Sequence, residues 1–244
     1  VIYTLQPQAS LTVIDQSTGE VKAIVGGRGD KTASKTLNRA TDTTRQPGST
    51  FKILAAYSAA LDAGGLTLAS VQDDAPYTYA GANGKSVNNY DRRYRGFTTL
   101  REAITDSINI VTVKTLAQAG VSLGWQYVQE YGFTTVDSRD MNEALALGGS
   151  TQGVSNLELT AAYAAIANQG TYIKPKFYTK ILDHDGNVLI DNTTPESHTV
   201  IKDTTAWLLT SAMEDVMTSG TGTSAYFGSS MAQAGKSGTP PSSR

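Results

Sequence analysis

The stretch of sequence that most constrains the fold is Pro47-Gly48-Ser49-Thr50-Phe51-Lys52, which stands before an alanine- and leucine-rich run ending at Gly64-Gly65. Proline and glycine before such a run, and paired glycines after it, predict a helix from about residue 49 to residue 63. Residues three apart lie on one face of a helix, so Lys52 should reach Ser49 from one turn along. A serine hydroxyl becomes an effective nucleophile when a neighbouring base removes its proton, and a neutral lysine is such a base.

The charge of Lys52 decides whether this pair can work. To act as a base it must be uncharged near pH 7, although an ordinary lysine has a pKa of about 10.4. The required lowering is about 3 pH units, or roughly 4–5 kcal/mol. Partial burial, the positive N-terminus of the helix and a second cation such as Lys236 would all lower this pKa. Taken alone, the pair is better explained by a serine that only caps the helix and a lysine in solvent than by catalysis.

A second motif, Ser107-Ile108-Asn109, lies between two predicted helices. Ser107 could relay a proton to a leaving amine while Asn109 holds a substrate amide. The structural alternative is that Ser107 caps the helix that follows. The same Ser-x-Asn pattern occurs at Ser86-Val87-Asn88, but its turn-like surroundings lack a helix, so we do not assign it a catalytic part.

A third motif, Lys236-Ser237-Gly238-Thr239, lies in the stretch 233–239, which we expect to be a strand. Lys236 and Thr239 could bind a substrate carboxylate, and Ser237 belongs to the same predicted substrate-binding set. The absence of a side chain at Gly238 would let a peptide approach the backbone. The structural alternative is an edge strand protected by a lysine.

The order of these motifs, Ser-x-x-Lys, Ser-x-Asn and Lys-[Ser/Thr]-Gly, resembles the signature of penicillin-binding proteins and serine β-lactamases. The sequence around the motifs is more specific than the motifs themselves. It resembles the transpeptidase domain of class A penicillin-binding proteins over nearly the whole chain. The matching segments are Arg45-Gln46-Pro47-Gly48-Ser49, Asn89-Tyr90-Asp91, Tyr94-Arg95-Gly96, Thr99-Leu100-Arg101-Glu102-Ala103, Leu147-Gly148-Gly149 and Gly170-Thr171-Tyr172.

The resemblance implies an α/β fold of the α+β type, in which an antiparallel sheet flanked by helices carries an inserted all-helical subdomain. Residues 1–244 would form one domain, with 11–48 and 171–244 mainly on the sheet side and 66–170 mainly helical. Hairpins are predicted around 15–19 and 183–187, helices at 100–105, 111–119, 123–131, 157–168 and 203–217, and a long surface connection at 66–98. The family has further strands and a helix after the Lys-Ser-Gly strand, and a glycosyltransferase domain, so we expect the chain to be a truncated fragment of such a protein.

The resemblance also implies an activity. Ser49 would attack the carbonyl between two D-alanines of a peptidoglycan stem peptide, and an amine on a neighbouring strand would resolve the acyl-enzyme. The backbone N–H groups of Ser49 and Thr239 would form the oxyanion hole, Ser107 would move protons, and Lys236 would hold the carboxylate. β-Lactam antibiotics would acylate Ser49. The reaction would take place at the extracytoplasmic face of a bacterial membrane, and the membrane anchor would lie outside these residues.

Composition narrows the other possibilities. The 20 basic and 22 acidic side chains nearly cancel and form no dense basic block, which argues against nucleic acid as a partner. The chain has no cysteine, which excludes disulfides and thiolate metal sites. Its two histidines, His184 and His198, lack the spacing of a metal site or a catalytic triad. We therefore predict neither a metal nor a cofactor.

Three alternatives stay open at this point. A serine β-lactamase shares the acylation machinery, but no Glu-x-x-Leu-Asn segment for deacylation lies between Asn109 and Lys236. A D,D-carboxypeptidase would use water in place of an amine as acceptor. A non-catalytic β-lactam sensor or scaffold would keep the serine and the lysine but acylate only once.

Overall fold

The computed structural model describes residues 7–31, 33–80, 84–228 and 230–240. The domain limits predicted at residues 1 and 244 lie outside these ranges. Six α-helices are present in the described residues: α1 (Ser58–Asp62), α2 (Leu100–Thr105), α3 (Asn109–Ala119), α4 (Val121–Glu130), α5 (Asn156–Ala167) and α6 (Asp203–Thr218). The five helices predicted beyond residue 99 are confirmed, with ends shifted by no more than two residues.

The helix predicted after Pro47 is present at 48–62, but its turns are not uniform. It begins as a 3-10 turn (Gly48–Thr50), widens to a π-helix (Lys52–Tyr57) and ends as α1. Ser58 supports the wide turn, because both its N–H and its hydroxyl donate to the carbonyl of Ile53, five residues earlier. Every residue from 51 to 60 is fully buried or nearly so, which makes this 48–62 helix the centre of the core. Wide turns of this kind often occur at functional sites.

Short antiparallel strands make up the rest of the regular structure. In the described residues they form five separate two-stranded ladders, β1–β2, β3–β6, β4–β5, β7–β10 and β8–β9, so the expectation of one continuous sheet was wrong. The mixed α/β class with antiparallel strands is as predicted. The strands are β1 (Leu11–Ile14), β2 (Val21–Val25), β3 (Val71–Asp74), β4 (Tyr77–Thr78), β5 (Ser86–Val87), β6 (Gly96–Thr99), β7 (Thr171–Ile173), β8 (Lys180–Leu182), β9 (Val188–Asp191) and β10 (Ser197–Thr199).

Two predictions about individual segments need correction. The connection at 66–98 was expected to be irregular, but it contains β3 to β6. The partners β3 and β6 lie far apart in sequence, and β4 and β5 have only two residues each, so neither ladder leaves a clear local pattern. The stretch 233–239 was expected to be a strand, yet the structure assigns none there. A strand exists only through a ladder with a neighbour, and among the described residues no strand pairs with this stretch. It packs against the start of the 48–62 helix, where Gly238 lies close to Thr50.

The core is mostly helical. The 48–62 helix packs against α3 and α4, and α2, α5 and α6 close around them. The two predicted hairpins are confirmed as β1–β2 and β8–β9, and both strands of β8–β9 are exposed throughout. None of the helices in these ranges combines the length and apolar character that crossing a bilayer requires.

Candidate active site

Ser49 lies in the first turn of the 48–62 helix and faces an open cavity of about 450 Å³. Its side chain is half-buried, and no side-chain cap is present at this helix start. Within the described residues the Ser49 hydroxyl has no hydrogen-bond partner, so the structural alternative of a capping serine is not what the structure contains. The predicted residues that line the same cavity are Ser107, Asn109, Ser237 and Thr239.

Backbone packing fixes the position of the serine. Gly48 has a φ of +58°, and a Cβ there would lie 2.7 Å from the carbonyl oxygen of Thr239. Gly148, with a φ of +73°, packs on the other side, where a Cβ would lie 2.6 Å from the nitrogen and oxygen of Gly48. Gly238 completes the contact, since a Cβ there would meet the Thr50 methyl group at 2.7 Å. Glycine is required where backbones approach this closely.

Lys52 is fully buried and is hydrogen-bonded to two residues that line the cavity. Its Nζ lies 2.6 Å from the Ser107 carbonyl oxygen, 3.2 Å from the Ser107 Oγ and 2.6 Å from the Asn109 Oδ1. These are three acceptors for the three N–H donors of an ammonium group. The lysine is therefore tied to both polar residues of the second motif.

Lys236 contacts the Ser107 hydroxyl as well. Its Nζ donates to the Ser107 Oγ at 2.8 Å and to the Ser237 carbonyl at 3.0 Å. Ser107 itself has a φ of +55°, a left-handed conformation that is uncommon for a residue with a side chain and that often marks a functional position. Ser107 thus joins the two lysines through one hydroxyl and does not cap α3, whose N-cap residue is Ile108.

The two lysines have depressed pKa values for physical reasons. Burial, and after it the nearby charge of Lys236, holds the pKa of Lys52 well below the usual lysine range. Burial also lowers the pKa of Lys236 to about 8. Lys52 is thereby favoured in its neutral form, while Lys236 keeps its charge near neutral pH.

The structure brings together all five residues predicted to be catalytic, namely Ser49, Lys52, Ser107, Asn109 and Lys236. Gly238 packs behind the cavity, and Ser237 and Thr239 line it. The alternative motif at Ser86 lies in β5, where it pairs with Thr78. In the part of the chain that the structure describes, no group of three or more potential ligands could hold a metal ion.

Sequence reasoning missed several residues of the cavity wall. Tyr90 is 93% exposed and stands at the rim, and Asp106 and Thr221 also line the cavity. The Thr221 hydroxyl is 2.6 Å from the Ser237 Oγ. Tyr90 lies within one of the segments that carry the family resemblance, which is the signal that could have identified it. Thr221 lies in a glycine-rich loop and carries no such signal.

Comparison with known proteins agrees with this geometry. The sequence profile described as the penicillin binding protein transpeptidase domain matches residues 9–241. The chain belongs to the penicillin-binding protein transpeptidase family. The resemblance stated from the motifs is thereby confirmed.

Relatives and solved structures of the family extend the match. Penicillin-binding protein 1F of Bacillus subtilis is 39% identical over 232 residues, which cover 95% of this chain and 31% of that protein. Penicillin-binding protein 1A of Clostridium acetobutylicum is 36% identical over 98% of this chain and 30% of its own length. The crystal structure of penicillin-binding protein 1A from Haemophilus influenzae superposes with a TM-score of 0.77 at 27% identity, covering 89% of this chain and 37% of that one. The chain therefore spans about three tenths of the length of these curated relatives.

Proposed function

We propose that this chain is a D,D-transpeptidase that cross-links peptidoglycan stem peptides through an acyl-enzyme on Ser49. The observation that carries the proposal is the buried amine of Lys52, one turn along from Ser49 and hydrogen-bonded to Ser107 and Asn109. Membership of the transpeptidase family supports the same reaction.

The contacts of Lys52 suit both of its charge states. As a neutral amine it donates two N–H bonds, to the Ser107 carbonyl and the Asn109 Oδ1, and its lone pair is the base for the Ser49 proton. Once protonated, the ammonium group finds a third acceptor in the Ser107 Oγ. That acceptor is already in place, so once the Ser49 hydroxyl has turned to Lys52 and given up its proton, the ammonium group has a partner for its third N–H.

The reaction then proceeds in two acyl transfers. Ser49 Oγ attacks the carbonyl carbon between the two D-alanines while its proton passes to Lys52. The peptide C–N bond breaks as the Ser107 hydroxyl gives a proton to the leaving amine, and Lys52 restores the proton on Ser107. An acceptor amine attacks the resulting ester, loses its proton by the reverse route, and releases Ser49 with the cross-link formed. No cofactor or metal is needed for these steps.

Substrate binding is assigned to the residues of the third motif. Lys236, which is charged near neutral pH, would attract the terminal carboxylate together with Thr239, and Ser237 would add a hydroxyl held by Thr221. The backbone N–H groups of Ser49 and Thr239 would stabilise the oxyanion, each donor contributing about 2.7–4 kcal/mol by analogy with other acyl transferases. β-Lactams, which mimic the dipeptide, would acylate Ser49, and the acyl-enzyme would not react further.

The setting of the reaction follows from its substrate. Peptidoglycan is assembled outside the cytoplasm, so the domain would work at the extracytoplasmic face of the bacterial membrane. Its partners would be the donor and acceptor stem peptides, and the remainder of the longer protein would include a glycosyltransferase domain and the strands that follow the Lys-Ser-Gly motif. Nucleic acid has no part in this scheme.

Mass spectrometry after penicillin treatment tests the proposal. We expect one covalent adduct, on a peptide containing Ser49, and none in Ser49→Ala. Turnover of a D-alanyl thioester donor with and without an acceptor amine then separates the related functions. A transpeptidase forms the amide product, a carboxypeptidase only the hydrolysed acid, and a sensor neither. Rapid release of the penicillin adduct would indicate a β-lactamase and would overturn the proposal.

A further inference from the structure

Helix α3, which carries Asn109, begins without a cap of its own. Its N-cap residue, Ile108, has an apolar side chain that makes no capping hydrogen bond. The first N–H groups of a helix have no partner within the helix and need one from elsewhere. Here the uncapped start lies directly beside the strained backbone of Ser107.

Asn89 supplies the missing cap from a distant segment. Its Oδ1 accepts hydrogen bonds from the backbone N–H groups of Asn109 at 3.0 Å and Ile110 at 3.2 Å. The side chain is only 4% exposed, so water does not compete for these bonds. Asn89 thereby fixes where α3 begins.

Asp74 fixes the orientation of that amide. The Asn89 Nδ2 donates to both carboxylate oxygens of Asp74, at 2.8 and 3.0 Å, and to the Arg93 carbonyl at 2.8 Å. Asp74 is fully buried and also accepts from the Arg95 backbone N–H at 2.9 Å. An ionised carboxylate only accepts hydrogen bonds. The Asn89 amide must therefore turn its nitrogen to Asp74 and its oxygen to α3.

The neighbouring residue orients the side chain of Asn109 in the same way. The Asn109 Nδ2 donates to the Asn88 carbonyl at 2.7 Å, which leaves the Asn109 Oδ1 facing Lys52 at 2.6 Å. The segment 88–89 thus holds both the backbone and the amide of Asn109. A shift of this segment would displace Asn109, whose Oδ1 is one of the three acceptors around the Lys52 amine, and with it the start of α3 that follows Ser107.

We propose that Asp74 and Asn89 are positioning residues that hold Ser107 and Asn109 against Lys52. Neither side chain touches the cavity residue Ser49 or would touch substrate; both act through the start of α3. The inference rests on the proposed function, because positioning matters only if Ser49 and Lys52 perform the acylation.

Acylation kinetics in the full-length protein test the inference. In Asn89→Ala we expect the first-order rate constant of Ser49 acylation at saturating penicillin to fall about 10- to 100-fold, since small misplacements of catalytic groups cost up to that much. The half-saturating penicillin concentration should change less than twofold. The matched control is Ser155→Ala, which removes the N-cap of α5. Ser155 is not among the described residues that line the cavity of Ser49, so the thermal midpoint should also fall while acylation matches the wild type.

A residue swap keeps the test decisive if the alanine variant does not fold. Asp74→Asn and Asn89→Asp each break the amide–carboxylate pair, and each should slow acylation at least tenfold. The double variant restores the pair with its members exchanged, and it places a carboxylate at the helix N-terminus, where negative charge is favourable. We expect it to recover only part of the lost rate, because the carboxylate at position 89 cannot donate to the Arg93 carbonyl as the Asn89 Nδ2 does. A swap no faster than the slower single variant, or an Asn89→Ala enzyme within twofold of wild type, overturns the inference.

Hydrogen exchange separates this inference from the proposed function. The N–H groups of Asn109 and Ile110 should exchange much faster in Asn89→Ala than in Ser155→Ala, whether or not penicillin reacts. If the wild type forms no adduct at Ser49, the proposed function fails while exchange still reports on the cap. If exchange at these two amides is unchanged, the cap has no effect and the positioning inference fails by itself.

Discussion

A serine stands at the start of α5 and another in the first turn of the 48–62 helix, and the two serines behave differently. At the start of α5, Ser155 is the N-cap: its hydroxyl accepts from the Glu158 N–H at 3.2 Å and donates to the Glu158 carboxylate at 2.9 Å. At the start of the 48–62 helix, Ser49 forms no cap and faces a cavity. The difference lies three residues on, where one helix has a glutamate and the other has Lys52.

The comparison shows how one spacing serves two purposes. A glutamate at the third position closes a capping box and uses up the serine hydroxyl. The buried lysine at that position does not close a box, because its amine is hydrogen-bonded to Ser107 and Asn109. The serine is left available for chemistry.

The largest effect should come from removing the residue that distinguishes the two starts. Lys52→Met keeps the length of the side chain but has no base, so Ser49 should behave like an ordinary serine. We expect penicillin acylation to slow about 10²- to 10⁴-fold, the range typical of general base catalysis. Stopped-flow measurement with circular dichroism as the folding control checks this. Acylation within tenfold of the wild type would mean that another group takes the proton.

The pH dependence of acylation should reflect the two depressed pKa values. Acylation should rise with pH as Lys52 loses its proton, at a pH well below the usual lysine range. It should fall again above about pH 8, where Lys236 loses the charge that holds the substrate carboxylate. Beyond that point the expected decline approaches tenfold per pH unit. Lys236→Arg should remove the alkaline decline, because arginine keeps its charge; a decline unchanged in this variant would contradict the assignment.

A smaller effect is expected from the backbone that supports Ser49. In Gly148→Ala the new Cβ would lie 2.6 Å from the nitrogen and oxygen of Gly48, at a φ of +73°. We expect a loss of about 1–3 kcal/mol in the free energy of unfolding and slower acylation, because strain at a left-handed residue adds to the clash. Gly65→Ala is the control, since Gly65 has a φ of +71° but nothing within 4 Å. Chemical denaturation should show a smaller loss there, with acylation intact.

The smallest effect should come from the serine that only caps. Ser155→Ala should lower the free energy of unfolding by about 1 kcal/mol, the typical value of an N-cap side chain. Acylation by penicillin should be unaffected. Urea titration and adduct formation on one sample measure both quantities. A marked loss of acylation would mean that Ser155 does more than cap α5, which would contradict the comparison with Ser49.

Local signals explain what the sequence could predict. The hairpin turn at Asp15 and the helices at 100–105 and 203–218 depend on neighbouring residues, so pattern reading located them. The cluster of residues at the candidate active site was predictable because its three motifs have a known order. The Asp74–Asn89 pair, the cavity wall at Thr221 and the ladder β3–β6 depend on partners far along the chain, which no local pattern reveals. The stretch 233–239 was mistaken for a strand because composition cannot show whether a ladder partner is present.

The contact of Gly48 with Gly148 and Thr239 joins three stretches of chain that lie far apart in sequence. None of the three can form the pocket by itself, so a partly folded molecule lacks the site at which the proposed acylation of Ser49 takes place. Covalent labelling by a penicillin would therefore count completely folded molecules in a mixed population. A destabilised variant could be scored in this way within a crude extract, without purification.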